Sequence, residues 1–166
     1  MSAAFALSRG PDVRDRAADC DYVTMTLAGQ LFGIPVLRIR DVLGAQRIAR
    51  IPLVPPWVAG ALNLRGRIVT AIDARRRLGL PRLERDGTEM SIVIEHGDEL
   101  YSLIVDEVGD VLTCPVGAIG PNPPTLDPIW REISMGIVRL EARLLVILDV
   151  ENLLDLGQQD NASQGV

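Results

Sequence analysis

Apolar and polar residues alternate along much of this chain, with the two-residue period of a half-buried β-strand. The segment DYVTMTL (21–27) alternates in this way, and LFGIPV (31–36) returns after a short AGQ turn. Residues 90–108 repeat the design, with Gly97 and Asp98 at the turn between two alternating runs. The pattern therefore predicts two β-hairpins in a mainly β fold.

A longer stretch of the chain occurs twice. The sequence GALNLRGRIVTAIDARRRLGL (60–80) matches GIVRLEARLLVILDVENLLDL (136–156) at most of its apolar positions. Upstream of these stretches, FGIPVLRIRDVL (32–43) matches YSLIVDEVGDVL (101–112), and both end in Asp-Val-Leu. An internal duplication explains the two matches together.

Each copy of the duplicated unit is too small to bury a large core as an open sheet. Closing about five short strands into a barrel removes the exposed edges. We therefore expect two small β-barrels packed side by side, with a groove between them. Asp73 and Asp149 stand where a strand gives way to a short helix, and their carboxylates are predicted to cap that helix.

Domain boundaries follow from the same patterns. The two ends, 1–19 and 157–166, are polar or mixed without a period, and we expect both to be disordered tails. Residues 20–156 are predicted to form the ordered body. Its two interleaved barrel subdomains are predicted at roughly 36–88 and at 20–35 plus 89–156.

The composition limits the available chemistry. The chain has 166 residues and a formal net charge of −5, which argues against nucleic acid as the main partner. Cys20 and Cys114 lie far apart in the sequence, and with the single His96 they cannot supply a zinc site, so we expect free thiols and no metal or other cofactor. The longest apolar run, LLVIL (144–148), is far shorter than the roughly 20 residues of a membrane helix, so no membrane insertion is expected.

Candidate catalytic residues are few. His96 lies beside a turn with no Ser or Cys near it in the sequence, which favours a solvated loop histidine. Asp106, Glu107 and Asp110 are interpreted as a solvated strand end rather than a metal site. The run ARRRLG (74–79) is interpreted as a short helix whose solvent-facing side lies opposite Leu78 and Leu80, because a nucleic-acid surface would also present aromatic residues. The sequence therefore predicts a protein that is not an enzyme.

The tip of the first repeated hairpin differs from its copy. Arg65 and Gly66 stand where the second copy has Glu141 and Ala142. Gly66 permits the positive φ of a tight turn, so the cationic side chain is expected to project from a rigid two-stranded support. An apolar Pro-rich loop containing Trp57 lies just upstream. A guanidinium on a rigid support beside apolar surface is typical of an interaction hot spot.

These residues resemble those of the CheW family of bacterial chemotaxis coupling proteins. The resemblance runs from about residue 21 to 156, and its most specific part is ALNLRGRIVTAIDARRRLG (61–79). The Pro/Trp loop RIPLVPPWVA (50–59) and the segment RIRDVL (38–43) extend it. The resemblance implies two five-stranded, SH3-like β-barrels with short helices, in agreement with the duplication.

The resemblance also implies a non-enzymatic adaptor that couples chemoreceptors to the histidine kinase CheA. The implied partners are the cytoplasmic tip of a methyl-accepting chemotaxis protein, the regulatory domain of CheA and, in rings, other copies of CheW. The implied location is the cytoplasm, at membrane-associated receptor arrays. The receptor-binding residues carried over by position are Ile39, Asp41, Gly60, Asn63, Arg65 and Gly66.

Some points stay open at the level of sequence. The kinase-facing surface lies on the other half in this family, and no motif here identifies its residues. One alternative is a CheW-like coupling protein of a chemotaxis-like system that controls surface motility or development. Another is a small-barrel protein that binds nucleic acid.

Overall fold

The computed structural model describes residues 19–81 and 87–154, and most of this part is β-strand. The strands are β1 (Asp19–Leu27), β2 (Gln30–Pro35), β3 (Ile39–Leu43), β4 (Val58–Leu64), β5 (Arg67–Asp73), β6 (Met90–His96), β7 (Glu99–Val105), β8 (Glu107–Pro115), β9 (Ile119–Gly120), β10 (Ser134–Arg139) and β11 (Leu144–Leu148). The helices are α1 (Ala74–Arg77), α2 (Pro128–Glu132) and a C-terminal helical segment over 150–154, with 3-10 turns at Val36–Arg38 and Val116–Ala118. The predicted mainly β fold is confirmed.

The strands form two sheets. The order in the five-stranded sheet is β3-β6-β7-β5-β4, and the order in the six-stranded sheet is β8-β1-β2-β11-β10-β9. Each sheet joins two antiparallel hairpins through one parallel strand pair. This pair is β5 and β7 in the five-stranded sheet, and β11 and β2 in the six-stranded sheet. The sixth strand, β9, has only two residues, and its counterpart in the other sheet is the isolated bridge between Ala49 and Ala61.

The strand register confirms the internal duplication. Thr70 of β5 lies opposite Tyr101 of β7, and Val146 of β11 lies opposite Phe32 of β2. The two sequence matches align Thr70 with Val146 and Tyr101 with Phe32, so these two strand pairs occupy equivalent places in the two halves. The two halves of the chain therefore have the same strand arrangement and not merely similar sequences.

The sheet order differs from the predicted subdomain division at one place. The hairpin of β6 and β7 pairs with β3 and β5, whereas the prediction grouped residues 89–156 with the first hairpin. That grouping is corrected for 90–105, because long-range pairing decides which sheet a hairpin joins. The predicted tails at 1–19 and 157–166 lie outside the described residues, except that Asp19 begins β1.

Apolar side chains form three clusters, which explains why several strands are buried on both faces. Val69 belongs to a cluster made within the five-stranded sheet, and Leu145 belongs to one made within the six-stranded sheet. A third cluster lies between the sheets and includes Ile72 from one and Phe32 from the other. Each sheet thus has its own core, and a shared core joins the two.

The predicted helix caps are confirmed. The Asp73 carboxylate accepts hydrogen bonds from the backbone N–H groups of Arg75 and Arg76, at 3.1 and 3.4 Å. In the second half, the Asp149 carboxylate accepts from the backbone N–H of Asn152 at 3.3 Å. These caps satisfy N–H groups that have no partner within a short helix.

Candidate partner-binding surface

The tip of the β4–β5 hairpin is a tight two-residue turn. Leu64 and Arg67 form the last strand pair, and Arg65 and Gly66 between them have φ values of 52° and 87°. Positive φ at both central residues is the geometry of a type I′ turn, which matches the twist of the flanking strands. The Asn63 side-chain oxygen accepts from the Gly66 N–H at 2.9 Å and fixes the turn further. The predicted rigid support for Arg65 is therefore present.

The Arg65 guanidinium contacts Asp41 of β3. Its Nη2 lies 3.3 Å from Asp41 Oδ2, and the Arg65 side chain is 79% exposed. Because β3 and β4 are the two edge strands of the five-stranded sheet, this contact brings those edges together. An exposed ion pair of this kind contributes about 0–1 kcal/mol, so it orients the guanidinium without holding it strongly.

A groove of about 410 Å³, lined mainly by apolar residues, lies beside the half of this hairpin that is farther from the tip. The loop before β4 forms one side, β5 and β7 form the floor, and the C-terminal helical segment forms the other side. Its lining residues include Ile51, Leu53, Val54, Trp57, Thr70, Ile72, Glu99, Tyr101, Leu153 and Leu154. The groove therefore combines residues from both halves of the duplication, as the packing of two barrels predicts.

Exposed apolar surface connects the groove to the hairpin tip. Ile68 is 70% exposed and shares a face of β5 with Thr70 of the groove floor, because alternate residues of a strand point the same way. Asn63 lies directly opposite Ile68. A partner in the groove could therefore extend along this face toward Arg65.

Leu53 is an unusual residue in the groove loop. Its side chain is fully exposed and its φ is 59°, in the left-handed region that a leucine seldom occupies. Both features cost free energy in the isolated chain. A residue that is exposed, apolar and strained at the rim of a groove is suited to contact a partner.

The side of the groove formed by residues 150–154 is held by a buried arginine. Arg77 of α1 is 6% exposed, and its Nε donates to the Leu153 carbonyl at 3.0 Å. Its guanidinium carbon also lies 5.3 Å from the centre of the Trp57 ring, a cation–π contact. The interpretation of the arginines in 74–79 as a solvent-facing side is thus wrong for Arg77, since tertiary contacts rather than helix periodicity decide its burial.

A second arginine of α1 joins the two sheets. Arg75 donates to both carboxylate oxygens of Asp106, from Nε at 2.8 Å and from Nη2 at 2.6 Å, and Ala28 N–H donates to the same carboxylate at 2.9 Å. The hydrogen bond from Arg75 holds the pKa of Asp106 below its usual value, against the opposing effect of burial. The prediction of a solvated Asp106 is therefore wrong, because this residue follows β7 and faces α1.

Four of the six residues predicted to bind the receptor lie together at the tip. These are Asp41, Asn63, Arg65 and Gly66. Ile39 lies apart from them, half-buried against the cluster between the sheets. Gly60 is buried at a bulge in β4, and a side chain there would overlap the carbonyl of Ala49, so the backbone geometry alone requires glycine.

Within 19–81 and 87–154, no group of three or more His, Cys, Asp or Glu residues is placed to hold a metal ion. No helix among these residues is long and apolar enough to span a membrane.

Comparisons with known proteins identify the family. The family model for the CheW-like domain matches residues 21–158. Chemotaxis protein CheW of Klebsiella aerogenes is 31% identical over 134 residues, which cover 81% of this chain and 81% of that protein. Chemotaxis protein CheW of Bacillus subtilis is 31% identical over 140 residues, covering 84% of this chain and 90% of that protein.

A solved structure agrees with these matches. The crystal structure of the scaffolding protein TtCheW from Thermoanaerobacter tengcongensis has a TM-score of 0.70 and 28% identity to this chain. The superposition covers 78% of this chain and 88% of that one. Together with the family match over nearly the whole described chain, these similarities show that the protein belongs to the CheW-like domain family and is a chemotaxis coupling adaptor.

Proposed function

We propose that this chain couples the cytoplasmic tip of a chemoreceptor to the histidine kinase CheA, and that the receptor binds the groove and the β4–β5 tip. The observation that carries this proposal is that one face of β5 runs from the groove floor at Thr70, past the exposed Ile68, toward the rigid turn that presents Arg65. The action is that of a scaffold and involves no bond-making step. Its site of action would be the cytoplasm, at receptor arrays.

The shape and lining of the groove suit an amphipathic helix. Such a helix places apolar residues three and four positions apart along one face, which can contact Leu53, Tyr101 and Leu154 in turn. The exposed Ile68 would extend that apolar contact toward the tip. Most of the groove is already formed by packed residues, so little ordering is needed when the helix binds.

Arg65 would supply specificity at the end of the groove. A guanidinium has five N–H donors, and the contact with Asp41 uses one of its nitrogens. A carboxylate or a helix C-terminus of the receptor could be bound by the remaining donors. The weak pair with Asp41 would keep the side chain oriented before the receptor arrives, which reduces the entropy lost on binding.

Coupling to the kinase needs a second surface, which we place away from the groove without assigning residues. A scaffold with two or more faces can also join further copies of itself in a ring. Each contact then needs only moderate affinity, because neighbouring contacts in an array raise the effective concentration of every partner. The similarity to proteins named for chemotaxis favours this function over nucleic-acid binding. Genetic tests would show whether the signalling system controls chemotaxis or another output, such as surface motility or development.

Co-sedimentation with receptor cytoplasmic fragments, and separately with the CheA regulatory domain, tests the proposal. We expect Arg65→Glu to weaken receptor binding at least tenfold, as is usual for an interface hot spot, and to leave CheA binding within about twofold. Arg143→Glu is a matched control, because it makes the same charge change in an exposed part of the sister hairpin. Circular dichroism and thermal melting would establish that both variants fold.

Two results would contradict the proposal. Unchanged receptor binding by folded Arg65→Glu would remove the tip from the interface. An equal loss of receptor binding in Arg143→Glu would mean that overall charge, and not the first hairpin, governs the interaction.

A further inference from the structure

Cys20 and Cys114 lie directly opposite each other in the antiparallel pair of β1 and β8. They are distant in the sequence and belong to different halves of the duplication. Both are free cysteines in the structure; Cys20 is half-buried and Cys114 is buried. Neither residue lines the groove or the hairpin tip, so their arrangement is independent of the proposed partner-binding surface.

The strand register brings the two residues within the reach of a disulfide. Directly opposed residues of an antiparallel pair have Cα atoms about 4.5 or 5.5 Å apart, depending on the hydrogen-bonding of the pair. Disulfides span Cα separations of about 4.4–6.8 Å. Cys20 and Cys114 therefore satisfy the distance requirement in either kind of pair.

The two side chains also point the same way. Both pack against the apolar cluster within the six-stranded sheet, together with Tyr22. The pKa of Tyr22 is raised to about 12. Burial is the largest cause, the nearby Cys20 thiol is the next, and Cys114 adds to the same effect. One tyrosine is thus adjacent to both sulfurs, as expected if they share a face of the sheet.

We propose that Cys20 and Cys114 form a thiol–disulfide exchange site, which reacts with a small-molecule disulfide and closes an intramolecular bond. The half-buried Cys20 thiolate attacks one sulfur of the disulfide, breaks the S–S bond and releases one small thiolate. The Cys114 thiolate then attacks Cys20 Sγ and releases the second. The two cysteines are oxidised, the small disulfide is reduced to two thiols, and the two cysteine protons pass to those thiols.

Closing this bond would tie the first strand to the edge strand of the six-stranded sheet. Cys114 lies one residue before the end of β8, and Cys20 lies one residue after the start of β1. The bond would close a loop of about ninety residues, which strongly restricts the unfolded chain. We expect the oxidised protein to melt on the order of 10 °C higher than the reduced protein.

The test is to incubate the native, full-length protein with excess oxidised glutathione and to digest it with trypsin without reduction. We expect a mass lower by about two hydrogens and a cross-linked pair of peptides covering 17–38 and 86–131. Dithiothreitol should reverse both the link and the rise in melting temperature. Cys20→Ser and Cys114→Ser should each lose both effects.

A register control makes the test specific. Thr113 is adjacent to Cys114 and therefore points to the opposite face of β8. The double variant Cys114→Ser, Thr113→Cys should not form the link to Cys20. The proposal is overturned if both thiols of the wild type stay reduced, if glutathione remains bound to Cys20 without ring closure, or if oxidation yields only cross-linked dimers. A link formed equally well in the double variant would overturn it too.

Discussion

Gly60 and Gly136 occupy the same bulge in the two halves of the molecule. Their φ values are 148° and 145°, and each lies at a register shift in the first strand of its hairpin. A side chain at either position would overlap a neighbouring carbonyl oxygen, that of Ala49 or that of Gly120. The bulge glycine is therefore a requirement of the duplicated fold, since it is present in the hairpin with the cationic tip and in the one without it.

This relationship predicts that Gly60→Ala lowers stability and does not act at the partner surface. We expect the free energy of unfolding to fall by about 2–4 kcal/mol, because the new methyl group overlaps backbone and strains the φ angle. Urea denaturation measures the change. Gly117→Ala is the control, because that glycine has open space around it, and it should be neutral or stabilising by up to ~1 kcal/mol. Equal stability of the two variants would contradict the prediction.

Much of this architecture could be predicted from local sequence. Alternation predicted the strands, Gly66 predicted the tight tip, and Asp73 predicted a helix cap, because each of these depends on neighbouring residues. The sheet that contains β6 and β7 could not be predicted in this way. The choice of sheet is set by the parallel pairing of β7 with β5. The sequence of the β6–β7 hairpin does not itself indicate which distant strand it pairs with.

The candidate surface was predictable to a similar extent. Arg65 lies in the turn and Asn63 lies in the strand next to it, so a short sequence motif is enough to identify both. Arg77 was missed because its burial depends on Trp57 and on carbonyl groups far along the chain. The sequence places Cys20 and Cys114 far apart, and only the strand register reveals that they are neighbours.

The contact between Arg75 and Asp106 predicts a specific pH dependence of stability. The pKa of Asp106 is lowered in the folded protein, chiefly by the hydrogen bond from Arg75, so ionised Asp106 stabilises the fold above its unfolded pKa of about 4. Asp106→Asn should cost about 2 kcal/mol at pH 7. The stabilising effect should disappear as the pH falls from about 4 through the lower folded value.

Urea denaturation of both proteins between pH 7 and pH 3 would test this. The gap in unfolding free energy between wild type and Asp106→Asn should narrow in acid. Asp98→Asn is the control, because it makes the same charge change in the exposed turn between β6 and β7, and it should have only a small effect on stability. A gap that stays the same from pH 7 to pH 3 would mean that the Asp106 charge does not stabilise the fold.

Arg77 should be required for a well-formed groove. Arg77→Met keeps the apolar part of the side chain but removes the hydrogen bonds to residues 152–153 and the contact with Trp57. We expect a loss of about 2–4 kcal/mol in unfolding free energy and faster amide hydrogen exchange over 150–154. Arg76→Met is a close control, because Arg76 is the exposed neighbour on the same helix. Unchanged exchange over 150–154 in Arg77→Met would show that the segment is held by other contacts.

Leu53→Asn should change stability and receptor binding in opposite directions. Asparagine tolerates the left-handed backbone that Leu53 adopts at φ 59°, so the free energy of unfolding should rise by about 0.5–1 kcal/mol. The same change removes an exposed apolar side chain from the groove rim, and receptor affinity should fall about tenfold if a receptor helix binds there.

Leu37→Asn is the control, since Leu37 is 96% exposed outside the groove lining and has an ordinary φ. Denaturation and co-sedimentation on the same preparations would separate the effects. A stabilised Leu53→Asn that binds receptor normally would place the receptor elsewhere, whereas an equal loss of binding in Leu37→Asn would show that the groove is not selective.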